Sequence, residues 1–401
     1  MVGSHLAPTV FVFAALVVRG LRLGLLLASL ASLAYVAFAL SRIGRFGRRP
    51  LPPPVMGAPV TLFKPLCGDE PFLYENLRSF CDQDYPRFEV VFGVRDPGDP
   101  AVAVAERVMR EFPNVETRLV VDDRVHGGNY KVSNLANMSG AAKYDLVVIA
   151  DSDMRVDREY LASVTAPLAD PAVGVVTCLY VGRPEPGIWS TLGAMFINEW
   201  FIPSVLVAYT RNAVPSCFGS TMALRREVLD GIGGFRALAD HLADDYVLGK
   251  LVAARGYRIV LSRYVVETVV AEPSLGSLWQ HELRWARTVR SVRPRGYSLS
   301  FVTYTVPIAL LNLWSSPSGL VGGVILAAAV GLRLGARAAV RRALGAPTGA
   351  AWLVPIRDVL SLAVWGASFF GQTVRWRGRE IVVGRDGHLD RRDSRNRPVV
   401  P

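Results

Sequence analysis

Cysteine is scarce in this chain: Cys67, Cys81, Cys178 and Cys217 are its only four, and they lie far apart. That spacing makes no zinc pattern and no disulfide framework, so reduced, packed thiols are the economical reading. Lysine is nearly missing, and the formal charge of +11 is carried almost wholly by arginine. No aromatic-basic motif for RNA or DNA accompanies that charge, so no nucleic-acid partner is expected. No small-residue cleavage site precedes the first arginine cluster, which argues against a cleaved signal peptide.

What the chain has is apolar length. Of its 401 residues 51% are hydrophobic, which suggests one soluble domain plus membrane segments. Leu23 to Leu40 carries no charge and at ~1.5 Å per residue is just long enough to cross a bilayer core. Arg42, Arg45, Arg48 and Arg49 follow it, and by the positive-inside rule they stay cytoplasmic with the N-terminus outside. Such clusters beside apolar spans read as anchors to anionic headgroups. Arg333, Arg337, Arg341 and Arg342 follow a later apolar run, and eight more arginines lie from Arg375 to Arg397. The two clusters beside apolar runs cannot share a side if every segment crosses once, so the topology stays open.

The middle of the chain is organised around Val147-Val148-Ile149-Ala150-Asp151-Ser152-Asp153. An unbroken apolar run reads as a strand buried on both faces, as in a parallel sheet. Asp151 and Asp153 at its end share a face by alternation, and two adjacent oxygen donors suit Mg²⁺ or Mn²⁺. From Val60 onward short strands alternate with helices, which predicts a parallel α/β sheet with helices on both faces. Between Ile188 and Tyr209 an aromatic-studded apolar stretch carries only Glu199; it reads either as a core helix or as a helix at the membrane interface. Phe301–Trp314 and Leu320–Leu332 are apolar but short, either a tilted hairpin or one broken element. Ala350–Gln372 holds Arg357 and Asp358, charges expected to face protein or water and to be paired.

Further chemistry falls where such a sheet would put it. Asp96 closes the second strand, as an acceptor for a nucleobase or ribose or as an ordinary turn residue before Pro97. Asp244-Asp245 opens a helical run, where capping competes with a general-base role for Asp245. His281 and Arg284 share a helix face, with Trp285 beside them. Next to a diphosphate, Arg284 would supply a forked donor. Lys131 either helps hold a donor or is merely solvated.

The ordered set Phe63-Lys64-Pro65-Leu66, Arg95-Asp96-Pro97, Asn129-Tyr130-Lys131, Asp151-Ser152-Asp153, Ala243-Asp244-Asp245-Tyr246 and Arg284-Trp285 resembles the ceramide glucosyltransferase family, which includes bacterial hopanoid-biosynthesis glycosyltransferases. The likeness runs from about Leu23 to Gln372. It implies a GT-A fold (a nucleotide-diphospho-sugar transferase domain), a UDP-sugar donor, a divalent metal and a lipid hydroxyl as acceptor. The family's three aspartates fall on Asp96, Asp151 and Asp245, the last as base. Its final signature, (Q/R)xxRW, has His281 in first place here. The implied layout is an anchor and basic flank over 1–49, a proline-rich spacer over 50–59 and a cytoplasmic GT-A domain over 60–295. Within that domain, 188–218 is the acceptor region; membrane segments over 296–373 and a basic tail over 374–401 follow. The expected enzyme is an integral protein of a bacterial inner membrane that binds donor at Asp96, Lys131, His281, Arg284 and Trp285. A processive polysaccharide synthase and a non-catalytic scaffold are the rival readings. The short, interrupted C-terminal segments weigh against the first, and the combination of Asp151, Asp153 and Asp245 against the second.

Overall fold

The computed structural model describes residues 6–50, 57–209, 216–376 and 379–389. Most of the proline-rich spacer, 210–215 of the acceptor region, and the arginines beyond 389 lie outside the described residues. In chain order the elements are α1 (Leu6–Gly47), β1 (Val60–Pro65), α2 (Leu73–Cys81), β2 (Phe88–Val94), α3 (Ala101–Glu111), β3 (Glu116–Val121), α4 (Tyr130–Met138), β4 (Leu146–Ile149) and β5 (Met154–Arg155). Then come α5 (Tyr160–Thr165), β6 (Val173–Pro184), α6 (Ile188–Phe196), α7 (Ile202–Ala208), β7 (Met222–Arg225), α8 (Arg226–Gly231), α9 (Asp244–Ala254) and β8 (Arg258–Val270). The C-terminal part holds α10 (Leu275–Val292), α11 (Pro294–Leu299), α12 (Thr305–Ser315), α13 (Gly319–Leu344), α14 (Leu353–Ser368), β9 (Thr373–Trp376) and β10 (Arg379–Val382).

Eight strands form one sheet in the order β3-β2-β1-β4-β7-β6-β8-β5. The first four are parallel, as alternation with helices predicts. The expectation of a wholly parallel sheet is corrected at β7, which runs antiparallel to both β4 and β6. The reason is where the chain re-enters: Met222 pairs with Ile149, so β7 starts at the end where β4 finishes. β4 is buried on both faces, with Val147 and Ile149 in one core and Val148 and Ala150 in the other. Its carboxyl end delivers Asp151 to the crevice where open α/β sheets bind ligands.

α1 extends well beyond the predicted apolar run, and its last turns dock on the domain through buried Ile43 and Phe46. α13 lies parallel to it. Leu26 and Leu33 meet Ile325 and Ala329, Leu40 lies against Gly335, and a Cβ on Gly47 would sit 2.7 Å from that of Ala343. Both arginine clusters therefore sit at the same end of the helix bundle. α12 runs the opposite way between them, with Leu313 against Gly322 where it hands over to α13. It begins deep along α1, where Ser32 Oγ donates to Thr305 Oγ1 at 2.9 Å. The chain bends by 63° between Pro294–Thr303 and Thr305–Ser315, so this part is a broken element followed by a full-length helix.

Phe13–Gly47, Ile188–Ala208 and Gly319–Leu344 are each long and apolar enough to cross a membrane. Ile188–Ala208 is nevertheless packed inside the protein. Leu192 and Met195 lie against Leu278 and Leu353, and Ile202 and Leu206 against Leu179 and Leu261. A π-turn over Ile197–Phe201 interrupts it, a feature that often marks functional sites. The described part of the basic C-terminal segment forms the β9–β10 hairpin and folds back on the domain.

Candidate functional site

The site grows from four loops gathered at the carboxyl end of β4. β4 ends at Asp151, whose amide donates to the Gly219 carbonyl at 3.3 Å. The Gly219 amide in turn donates to Asp245 Oδ2 at 2.9 Å. Asp244 and Asp245 lie in the first turn of α9, but the capping residue, Ala243, makes no side-chain bond there. The Asp-Asp pair thus lies inside the first turn and not at the cap position: Asp245 Oδ1 accepts from Tyr246 N at 2.7 Å, and Asp244 faces Lys131. Lys131 Nζ lies 2.5 Å from Asp151 Oδ1 and 3.5 Å from Asp244 Oδ2. Its loop is set by Asn129, which caps α4 by accepting from Val132 N at 3.2 Å and donates to the His241 carbonyl at 2.8 Å.

Electrostatics follow from this crowding. Burial, then the neighbouring Asp244 charge, pushes the Asp245 carboxyl up to about 7 against the pull of Lys131. Asp153 is exposed to solvent; partial desolvation, with Asp151 and Glu70 nearby, raises its carboxyl to about 7 as well. Desolvation opposes the Lys131 charge, yet Asp151 and Asp244 outweigh it and hold the ammonium above the ordinary lysine range. Two carboxyls displaced toward neutrality beside a buried lysine make this cluster the candidate site.

Sequence reasoning gave no role to Lys64 or Tyr180. Lys64 is wholly buried near the end of β1, donates to the Asp151 carbonyl at 2.5 Å and sits 3.6 Å above the Phe80 ring. Burial drops its pKa to about 7, with Asp151, Asp153 and Glu70 resisting. Its signal in the sequence was a lone lysine inside an apolar strand. Tyr180, on β6, is raised first by burial and then by Asp153, Asp245 and Asp151, while Arg284 opposes. The Tyr180 phenol therefore feels the charges of Asp153, Asp245, Asp151 and Arg284.

α10 carries the rest. His281 Nδ1 lies 2.8 Å from Glu272 Oε1, and its ring is 4.2 Å from that of Trp285. Trp285 stacks on Phe196, Phe196 on Trp200, and Trp200 on Tyr304. This aromatic ladder leads from the cleft to the start of α12. Arg357 and Asp358 are buried and paired, though not with each other: Arg357 forks onto Glu282 at 2.6 Å twice, and Asp358 takes Arg333 at 2.6 Å. Asp96 stands apart from the group. It is exposed at the end of β2, where Oδ1 accepts from Gly98 N at 2.8 Å in a turn.

Among the described residues no group of three or more His, Cys, Asp or Glu is arranged around a metal position. The protein offers two carboxylates, Asp151 and Asp153, and that number suits Mg²⁺, which keeps waters and takes phosphate oxygens as further ligands.

The model of glycosyl transferase family 21 matches residues 24–389. Ceramide glucosyltransferase 1 of Caenorhabditis elegans is 27% identical over 237 residues, 59% of this chain and 50% of that protein. Ceramide glucosyltransferase of Komagataella phaffii is 40% identical over 111 residues, 27% of this chain and 21% of that protein. The chain thus spans about half the length or less of these curated relatives. Among solved structures, mannosyltransferase PcManGT from Pyrobaculum calidifontis, in complex with GDP-Man and Mn²⁺, superposes with a TM-score of 0.55 at 22% identity, covering 88% of this chain and 99% of that one. That likeness establishes a GT-A fold.

Proposed function

Because the chain belongs to glycosyl transferase family 21, we propose that it moves a hexose or N-acetylhexosamine from a UDP-sugar to the hydroxyl of a membrane lipid of ceramide or hopanoid type, inverting the anomeric centre. The observation that carries this reading is the junction at Gly219, which brings Asp151 and Asp245 into one cleft. Asp245 is the base: the acceptor oxygen attacks the anomeric carbon, its proton passes to the Asp245 carboxylate, and the bond to the diphosphate oxygen breaks. Attack from the side opposite the leaving group accounts for inversion.

Asp151 and Asp153 would hold a divalent cation, and the desolvation and neighbouring negative charge that lift Asp153 are a reason for them to take one. When bound, that cation supplies charge neutralisation for the departing diphosphate. Lys131 balances Asp151 and Asp244, and Arg284 offers a fork to phosphate oxygens. Asp96, exposed at the end of β2 outside that group, takes the nucleoside. The ladder from Trp285 through Phe196 and Trp200 to Tyr304 offers an apolar route for the acceptor tail from the helix bundle to the cleft. The arginine clusters at one end of α1 and α13 favour a cytoplasmic catalytic domain in a bacterial inner membrane, with 1–49 as anchor, 60–295 as the transferase unit and 296–373 as its membrane segments.

The test is direct. The full chain in lipid nanodiscs is supplied with Mg²⁺ or Mn²⁺, UDP-glucose or UDP-N-acetylglucosamine, and either ceramide or a hopanoid polyol. Mass spectrometry should find a lipid heavier by one sugar, with the anomeric configuration opposite to that of the donor. A polymeric product, or no dependence on any UDP-sugar, would sink the proposal.

A further inference from the structure

After α14 the chain turns back to the mouth of the cleft and is gripped at two places. At its start, Arg287 donates to the carbonyls of Phe370, at 2.6 Å, and Thr373, and Arg290 donates to the Gly371 carbonyl at 2.8 Å. Both arginines are on α10, in the turns after Arg284. At its far end the segment joins the loop ahead of the Asp-Asp pair. Leu242 N donates to the Gly387 carbonyl at 2.9 Å, and Leu389 N to the Asp240 carbonyl at 2.8 Å. The Leu389 side chain is 1% exposed and packs with Leu242, Val374 and Val383. It also covers the loop that leads to Lys131: a Cβ on Gly128 would fall 2.8 Å from that of Leu389. Asp240, the residue that receives the Leu389 amide, accepts from Gly128 N at 2.9 Å through its carboxylate.

The segment therefore spans the two halves of the cleft. On one side is the helix with His281, Arg284 and Trp285; on the other are the loops that end in Lys131 and Asp245. Directly between the halves, Arg293 lies over the Tyr246 ring at 5.2 Å and its Nε donates to the Tyr246 hydroxyl at a long 3.5 Å, a weak tie for groups that must act within a fraction of an ångström.

We propose that residues 370–376 and 379–389 form a positioning strap that sets Asp245 and Lys131 against Arg284, so that sugar transfer depends on Leu389 although Leu389 touches no reacting group. This rests on the transferase reading of the cleft. Two observations favour positioning over mere closure of the fold. The strap's bonds end on residues 240–242, immediately ahead of the Asp-Asp pair, and the family match itself continues to residue 389.

The test compares Leu389→Ala and Leu389→Met with the parent in the full-length, nanodisc-embedded chain. Leu389→Ala should lower kcat/KM for transfer roughly tenfold to a hundredfold, the scale of a displacement near 1 Å, with kcat falling as well as donor KM rising. Leu389→Met, which keeps apolar volume, should recover most of it. Hydrogen exchange should quicken at 128–133 and 240–246 in Leu389→Ala, a readout that needs no turnover. The strap assignment is overturned by Leu389→Ala with parental kcat/KM, or by faster exchange confined to 371–389. A parent that transfers no sugar would instead overturn the transferase reading, and the exchange pattern would still decide whether the strap orders the cleft.

Discussion

Asp151 and Asp245 are joined through one residue: the Gly219 carbonyl accepts from the Asp151 amide at 3.3 Å, and the Gly219 amide donates to Asp245 Oδ2 at 2.9 Å. There is no room there for a side chain. A Cβ on Gly219 would lie 2.7 Å from Asp151 Oδ2 and 3.2 Å from Lys131 Nζ. Gly219→Ala should therefore displace the Asp151 carboxylate from Lys131. The expected result is a loss in kcat/KM of about a hundredfold with a stability change of only about 1–3 kcal/mol. Steady-state kinetics beside thermal unfolding separates the two, and parental kinetics in the alanine variant would remove Gly219 from the site.

Asp245→Asn isolates the base. The amide keeps an oxygen for the Gly219 N–H but cannot take a proton, so turnover should fall by about 10²–10⁴ while UDP binding persists. Because burial and Asp244 oppose the Asp245 charge, removing it should leave the melting temperature unchanged or higher. Calorimetric UDP titration together with a melting curve checks both. Retained turnover would transfer the base role to another group.

The same crowding fixes a pH dependence. An ordinary aspartate is ionised by pH 5, but Asp245 titrates near 7. Transfer should therefore rise about tenfold per unit below that value and level off above it. Asp244→Asn removes the like charge and should move the rising limb to lower pH. The sign for stability is opposite. The folded state holds a proton that the unfolded chain has already released between about 4 and 7, so this group makes folding less favourable as pH rises through that window. A flat profile from pH 5 to 8 contradicts the assignment.

How far the sequence led can be judged from single residues. The Val147–Ala150 run predicted a strand buried on both faces, and its carboxyl end did bring Asp151 to the cleft, because burial on two faces leaves an unmistakable apolar run. Strand direction leaves no such mark, so β7 was expected parallel and is not. β8 went unread although Ile259, Val260, Val265, Val266, Val269 and Val270 give it a β-branched texture and its burial alternates along most of its length. Lys64 passed for a strand residue because its partner, the Asp151 carbonyl, is a backbone atom with no side-chain identity. The partners of Arg357 and Asp358 were equally hidden: consecutive residues on a helix face different ways, so each found a partner on another helix.

Arg357 is where that last relationship becomes measurable. Its guanidinium is 1% exposed and makes two parallel bonds of 2.6 Å to Glu282, on the turn of α10 between His281 and Trp285. Arg357→Met strands a buried carboxylate and should cost about 3–5 kcal/mol. Pairing it with Glu282→Leu, which leaves neither charge, should restore most of that stability, since apolar replacement of a complete buried pair is often neutral. Activity should not return with stability if the bidentate pair also sets the roll of α10, because methionine and leucine fill the space without fixing a direction. Unfolding curves and kcat/KM for the two single variants and the double variant form a thermodynamic cycle. A double variant restored in both stability and transfer would make this pair a plain structural tie, and one restored in stability alone would make it the device that aims Arg284 and Trp285 into the cleft.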